Sequence, residues 1–164
     1  MSSSDRRKFV MSLGALAALG GCGFAPVYGP GGVAEGLQGQ IAPDAPKTRA
    51  EFALVERLEA RLGRAGAARY RLSYRIDMAE DRLGITSQQE TTRFNLTGRL
   101  AYDLRDLNGD MRTSGEVTAF TAYSATGSTL ATLTAERDAQ ERLMIMLADR
   151  LVTRLIATAG TWLQ

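Results

Sequence analysis

Apolar and polar positions change rhythm several times along the chain, and each rhythm predicts an element. Between Thr48 and Gly63, the residues Leu54, Val55, Leu58 and Leu62 recur at i, i+1, i+4 and i+8, one apolar stripe of a helix. Thr48 and Glu51 have the spacing of a capping box, in which side chains satisfy amides left free at a helix start. Gly63 and Gly66 supply stops. From Tyr70 the period falls to two: Tyr70, Leu72, Tyr74, Ile76 and Met78 alternate with Arg71, Ser73, Arg75 and Asp77, as in a half-buried strand. The polar run Glu80-Asp81-Arg82 interrupts it, and Leu83-Gly84-Ile85 resumes it beyond a bulge or bend. Phe94, Leu96, Gly98, Leu100, Tyr102 and Leu104 form a second alternating run, closed by Asn108-Gly109, two residues tolerant of positive φ. Folding about that turn pairs Leu104 with Thr113, Tyr102 with Gly115, Leu100 with Val117, Leu96 with Thr121 and Phe94 with Tyr123. The apolar faces of the two strands coincide in this register. The opposite face carries Asn95, Thr97, Arg99, Asp103, Glu116 and Thr118, with Phe120 as its exception.

Leu37, Gly39 and Ile41 alternate with glutamines and predict a short first strand, ended by Pro43 and Pro46. From Thr134 to about Ala159 the period is helical again: Ala139, Leu143, Met146, Leu147, Leu151 and Leu155, widened by Met144 and Ile156. The order strand, helix, three strands, helix predicts an α+β fold: two amphipathic helices packed on one face of a mainly antiparallel four-stranded sheet.

The first 36 residues obey none of these rhythms. Arg6, Arg7 and Lys8 precede an apolar run from Phe9 to Leu19 that is too short to span a bilayer, then Gly20, Gly21 and Cys22. This is the layout of an export signal, and Leu19-Gly20-Gly21-Cys22 resembles the lipobox of bacterial lipoproteins. The organisation expected is a signal peptide over 1–21, a lipidated flexible tether over 22–36, rich in glycine and proline, and a single α+β domain over 37–164. The lipobox implies a diacylglycerol and an N-acyl chain on Cys22, the one cysteine of the chain. Arg6-Arg7 also looks like a twin-arginine signal, so the export route stays open.

Charge then narrows the function. Of 20 basic and 18 acidic residues, the leader holds Arg6, Arg7, Lys8 and Asp5, which leaves 17 of each sign in the mature chain. A nucleic-acid binder needs a basic excess on one face. With no histidine, serine–histidine hydrolysis and most zinc sites are excluded. Asp106-x-Asn108-x-Asp110 imitates half a calcium loop, but Met111 stands where glycine is needed and Val117 where the closing glutamate belongs. A hairpin turn explains the same residues, and no metal is expected.

Cys22-Gly23-Phe24-Ala25-Pro26-Val27-Tyr28 resembles the opening of the lipopolysaccharide-assembly lipoproteins of the LptE family, particularly the alphaproteobacterial members. Ala135-Glu136-Arg137-Asp138-Ala139, Arg142 and Leu147-Ala148-Asp149-Arg150-Leu151 are similar to that family's last helix. Tyr70-Arg71-Leu72 and Thr92-Arg93-Phe94-Asn95-Leu96 resemble its middle strands. Thr126-Gly127-Ser128 departs from it, where an asparagine is expected soon after Tyr123. The resemblance implies a non-enzymatic lipoprotein, anchored on the periplasmic side of the outer membrane. Such a protein plugs and helps assemble an LptD-type β-barrel and binds lipopolysaccharide in transit to the cell surface.

Within that reading Arg93, Arg99, Arg105 and Arg112 are candidates to meet lipid A phosphates, with Arg105 expected opposite Arg112. The alternative for each is a solvated strand face shared with Asp103 and Glu116. Phe24 and Tyr28, apolar residues on a tether without a core, are candidates to dock on the barrel or the membrane interface; packing back on the body is the alternative. Two other functions compete. One is a stand-alone periplasmic carrier holding lipid between helices and sheet. The other is an enzyme built on Asp103 and Glu116, which a strand face explains better.

Overall fold

The computed structural model describes residues 32, 35–85, 91–125 and 128–163. Thr48 caps α1 (Arg49–Leu62) as the sequence predicts: its hydroxyl accepts from the Glu51 amide at 3.3 Å, and the Glu51 carboxylate accepts from the Lys47 amide at 2.7 Å. Leu54, Leu58 and Leu62 are buried along the inner stripe. At Gly63 (φ 78°) the helix stops against Gly39 (φ 69°), whose amide donates to the Leu62 carbonyl at 2.7 Å. A Cβ at Gly63 would lie 3.0 Å from the Gly39 nitrogen, so the two turns nest only without one.

Four strands form one sheet in sequence order: β1 (Ile41–Pro43), β2 (Tyr70–Ile85), β3 (Thr91–Asp106) and β4 (Met111–Ser124). β1 runs parallel to β2, and the other pairs are antiparallel. The first strand is shifted from its expected place. Leu37 belongs to a 3-10 turn (Glu35–Leu37), Gly39 turns the chain, and the strand begins at Ile41 and ends on Pro43. Proline is tolerated there because β1 is an edge strand. β2 does not break at Glu80-Asp81-Arg82; it continues through them, with an irregularity between Arg82 and Gly84.

All five expected β3–β4 pairs occur. The register shifts beyond Leu104, where Arg105 faces Met111 and Arg112 is the extra residue. The connection is therefore wider than a two-residue turn. The Asp106 carboxylate accepts from the amides of Asn108 and Asp110 at 2.9 and 3.0 Å, and Gly109 takes φ 92°. Those are the residues that imitate half a calcium loop.

The last helix, α2 (Thr129–Trp162), is longer at both ends than the apolar period predicts. Ser128 caps it by accepting from the Ala131 amide at 3.3 Å. Its first buried side chain is Ala139, so the preceding turns leave no apolar stripe to read. At the other end Trp162 is buried, edge-on to Tyr70 with ring centroids 5.5 Å apart, which carries the helix past Gly160. Both helices cover the face formed by Leu72, Leu96, Leu100, Leu104 and Ala119, and α2 contributes Leu143, Leu147, Leu151 and Leu155 to that core. The fold is the α+β arrangement expected. Arg57 and Arg61 of α1 grip Asp149 of α2 at 2.9 and 2.7 Å and hold the two helices in one direction.

Candidate functional site

Strand parity decides what the uncovered face presents. Side chains alternate between faces, so the even positions of β2 and β3 meet the helices and the odd positions meet solvent. Across β2, β3 and β4 the outer face reads Ser73–Asp103–Ser114, then Arg75–Ala101–Glu116, Asp77–Arg99–Thr118, Ala79–Thr97–Phe120 and Asp81–Asn95–Ala122. These rows form a polar lattice with four carboxylates, two guanidiniums and one aromatic side chain among the described residues.

Arg93, Arg99 and Arg105 share this face but not a site. Each is six residues from the next on β3, about 20 Å at strand rise. Arg99 lies 3.4 Å from the Glu116 carboxylate, an acidic neighbour on the solvated strand face. Arg93 is exposed opposite Ser124 at the far end. Arg105 donates to the Gly109 carbonyl at 3.0 Å. Arg112 is not its partner, because as the extra residue of the bulge it is re-aimed. Its guanidinium donates at 3.1 and 3.3 Å to the Trp162 carbonyl, where a cation favours a helix C-terminus. Cys22, Phe24, Tyr28 and the departure at residues 126–127 lie outside the described residues.

The residue that sequence reasoning missed is Arg71, which stands directly opposite Arg105 on β2. Like charges on one rung repel. Arg71 is steadied by Asp44, 2.8 Å from its Nε, and this hydrogen bond holds the Asp44 carboxyl below its usual range against the opposing effect of burial. The alternation around Arg71 put it on a strand face, but only the β2–β3 register brings it to Arg105. The connection between those strands carries no turn signal comparable to Asn108-Gly109.

Two further features frame the face. On the opposite, helix-bearing side of its far end, Tyr123 donates to Glu80 at 2.8 Å and stacks on Phe94, with centroids 5.1 Å apart. Burial, then the hydrogen bond to Glu80, pushes the Tyr123 hydroxyl up to about 12; burial, then the Glu51 charge, does the same to Tyr74. Both shifts move a proton further from neutral pH, away from the range useful for acid–base chemistry. Along the free edge of β4, Arg142 and Arg150 of α2 reach the carbonyls of Ala122 and Thr118.

A family model described as LptE, lipopolysaccharide-assembly, matches residues 36–155. A solved structure described as a lipoprotein from Caulobacter crescentus CB15 is similar at a TM-score of 0.66 and 25% identity, covering 80% of this chain and 98% of that one. Rare lipoprotein B from Shewanella oneidensis gives 0.56 and 12%, over 73% of this chain and 93% of that one. A minor lipoprotein from Acinetobacter baumannii gives 0.55 and 16%, over 73% and 90%. The last two share the fold. No curated protein sequence matches significantly.

Proposed function

The chain belongs to the LptE lipopolysaccharide-assembly family, and from that premise we propose that it is a non-enzymatic, lipid-anchored subunit of the outer membrane. In this reading it seats in and helps assemble an LptD-type β-barrel and holds lipopolysaccharide on its way to the cell surface. A barrel lumen is polar, and the helix-free face, which carries charges of both signs, is a surface suited to it. Cys22 carries the acyl chains; each buried CH₂ contributes about 0.8 kcal/mol, and two or more chains anchor stably. Phe24 and Tyr28, next to that anchor, dock on the barrel or the membrane interface.

The observation that carries the lipopolysaccharide contact is the Arg71–Arg105 rung. Each guanidinium has five N–H donors in a fork that matches phosphate. Asp44 and the Gly109 carbonyl account for one donor each in the contacts described above. A phosphate of lipid A between the two relieves their repulsion and gains charge-assisted hydrogen bonds. The carrier alternative finds less support, since the space between helices and sheet is filled by Leu72, Leu100, Leu143 and Leu147, all fully buried.

The double variant Arg71→Ala, Arg105→Ala is expected to bind lipopolysaccharide at least tenfold more weakly while keeping its circular dichroism spectrum. Unchanged affinity removes the contact. For the barrel, the test is purification from outer membranes in mild detergent, where an LptD-type partner is expected to accompany the chain.

A further inference from the structure

We propose that the hollow around Phe120 on the helix-free face is a saccharide platform that takes a pyranose ring of a glycan. The inference rests on the lipopolysaccharide reading and assigns the sugar portion of that ligand, a contact separate from the Arg71–Arg105 rung. Phe120 is 62% exposed on the edge strand β4, opposite Thr97. Its same-face neighbours are Thr118 and Ala122 along β4 and Thr97 across on β3, with Ala79 beyond on β2, so short side chains leave the ring open. Leu83, Asn95, Thr97, Thr118 and Arg150 complete the hollow, whose volume of about 460 Å³ falls within the range of small-molecule clefts.

The chemistry of the lining selects the ligand. An aromatic face is electron-rich and attracts the weakly positive C–H bonds on the apolar side of a pyranose. Around it stand two hydroxyls, a carboxamide and a guanidinium already aimed at the Thr118 carbonyl. The hydroxyls and the carboxamide lie on neighbouring strands about 5 Å apart, a spacing comparable to the width of one sugar ring. An acyl chain in the same place would cover Asn95, Thr97 and Thr118 without offering them a hydrogen bond, which is unfavourable. A sugar presents both an apolar face and a hydroxyl rim, and it satisfies both.

The probe is lipid-free core oligosaccharide released from lipopolysaccharide, titrated into the ¹⁵N-labelled chain and followed by amide chemical shifts. Shifts are expected on residues 95–97 and 118–120. Phe120→Ala is expected to weaken the titration at least tenfold, and Thr97→Val, which keeps the shape and removes a hydroxyl, several-fold. Phe120 is largely outside the core, and an unchanged spectrum elsewhere verifies that the variant folds. Shifts confined to other surfaces, or a Phe120→Ala titration identical to the parent, overturn the platform. If intact lipopolysaccharide binds while the oligosaccharide produces no shifts, the platform fails and the lipopolysaccharide reading stands. If neither binds, both fall.

Discussion

Tyr123 sits where three strands meet: its ring lies on Phe94 of β3 and its hydroxyl reaches Glu80 of β2 over the width of a strand. Its protonated form is the one the fold favours. A hydroxyl whose pKa rises from 10 when unfolded to about 12 when folded adds stability that is complete below pH 10. That stability is lost as pH climbs through 12. The denaturation midpoint is therefore expected to fall between those values, and Tyr123→Phe should fall less steeply, with Tyr74 accounting for part of what remains. Parallel pH profiles for parent and variant would show that Tyr123 contributes nothing to the alkaline transition. Arg112 makes a related point about single side chains. Its charge marked it as a phosphate ligand, but one extra residue in a turn directs it to the end of α2.

Elements meet closely where α2 crosses β3. A Cβ on Gly98 would lie 3.0 Å from both Leu143 Cδ2 and Leu147 Cδ1. Gly98→Val is expected to destabilise the fold by about 1–3 kcal/mol through overpacking, seen as a lower denaturant midpoint with an unchanged slope; a variant as stable as the parent would show that the helix yields there. Such contacts explain what the sequence made legible. The α1 cap, the β3–β4 pairs from Phe94 to Leu104 and the fold class follow from periodicity and local capping or turn chemistry, and all are present. The start of α2 was hidden because Leu130 and Leu133 project into solvent and leave no stripe. The continuity of β2 through Glu80-Asp81-Arg82 was hidden because an exposed strand end needs no apolar alternation. Of the candidate site, the face was legible and the partner of Arg105 was not. Parity along one strand is a local property, and register between two strands is not.

The molecule as a whole has two distinct ends. The chain enters the sheet at Ile41 beside Tyr70, Tyr70 faces Asp106 near the β3–β4 turn, and Trp162 closes on Tyr70. Phe120, Leu83 and the start of α2 lie toward the other end. On the acylation proposed for Cys22, the anchor joins the chain ahead of the end where β1 enters the sheet. Cys22→Ser is expected to abolish metabolic labelling of the chain by palmitate, and unchanged labelling would rule out acylation at that residue. The parallel pairing of β1 has a mechanical consequence. Gln40 accepts from the Arg69 and Tyr70 amides at 2.8 and 3.0 Å, and Asp44 donates to Leu72 at 2.9 Å. These bonds lie across the line of the strand. Tension applied along that line, with the body held in place, meets them all at once. It loads the rungs together, in shear, with Leu37 and Ile41 as buried wedges. The attachment resists as a unit and cannot be peeled one bond at a time.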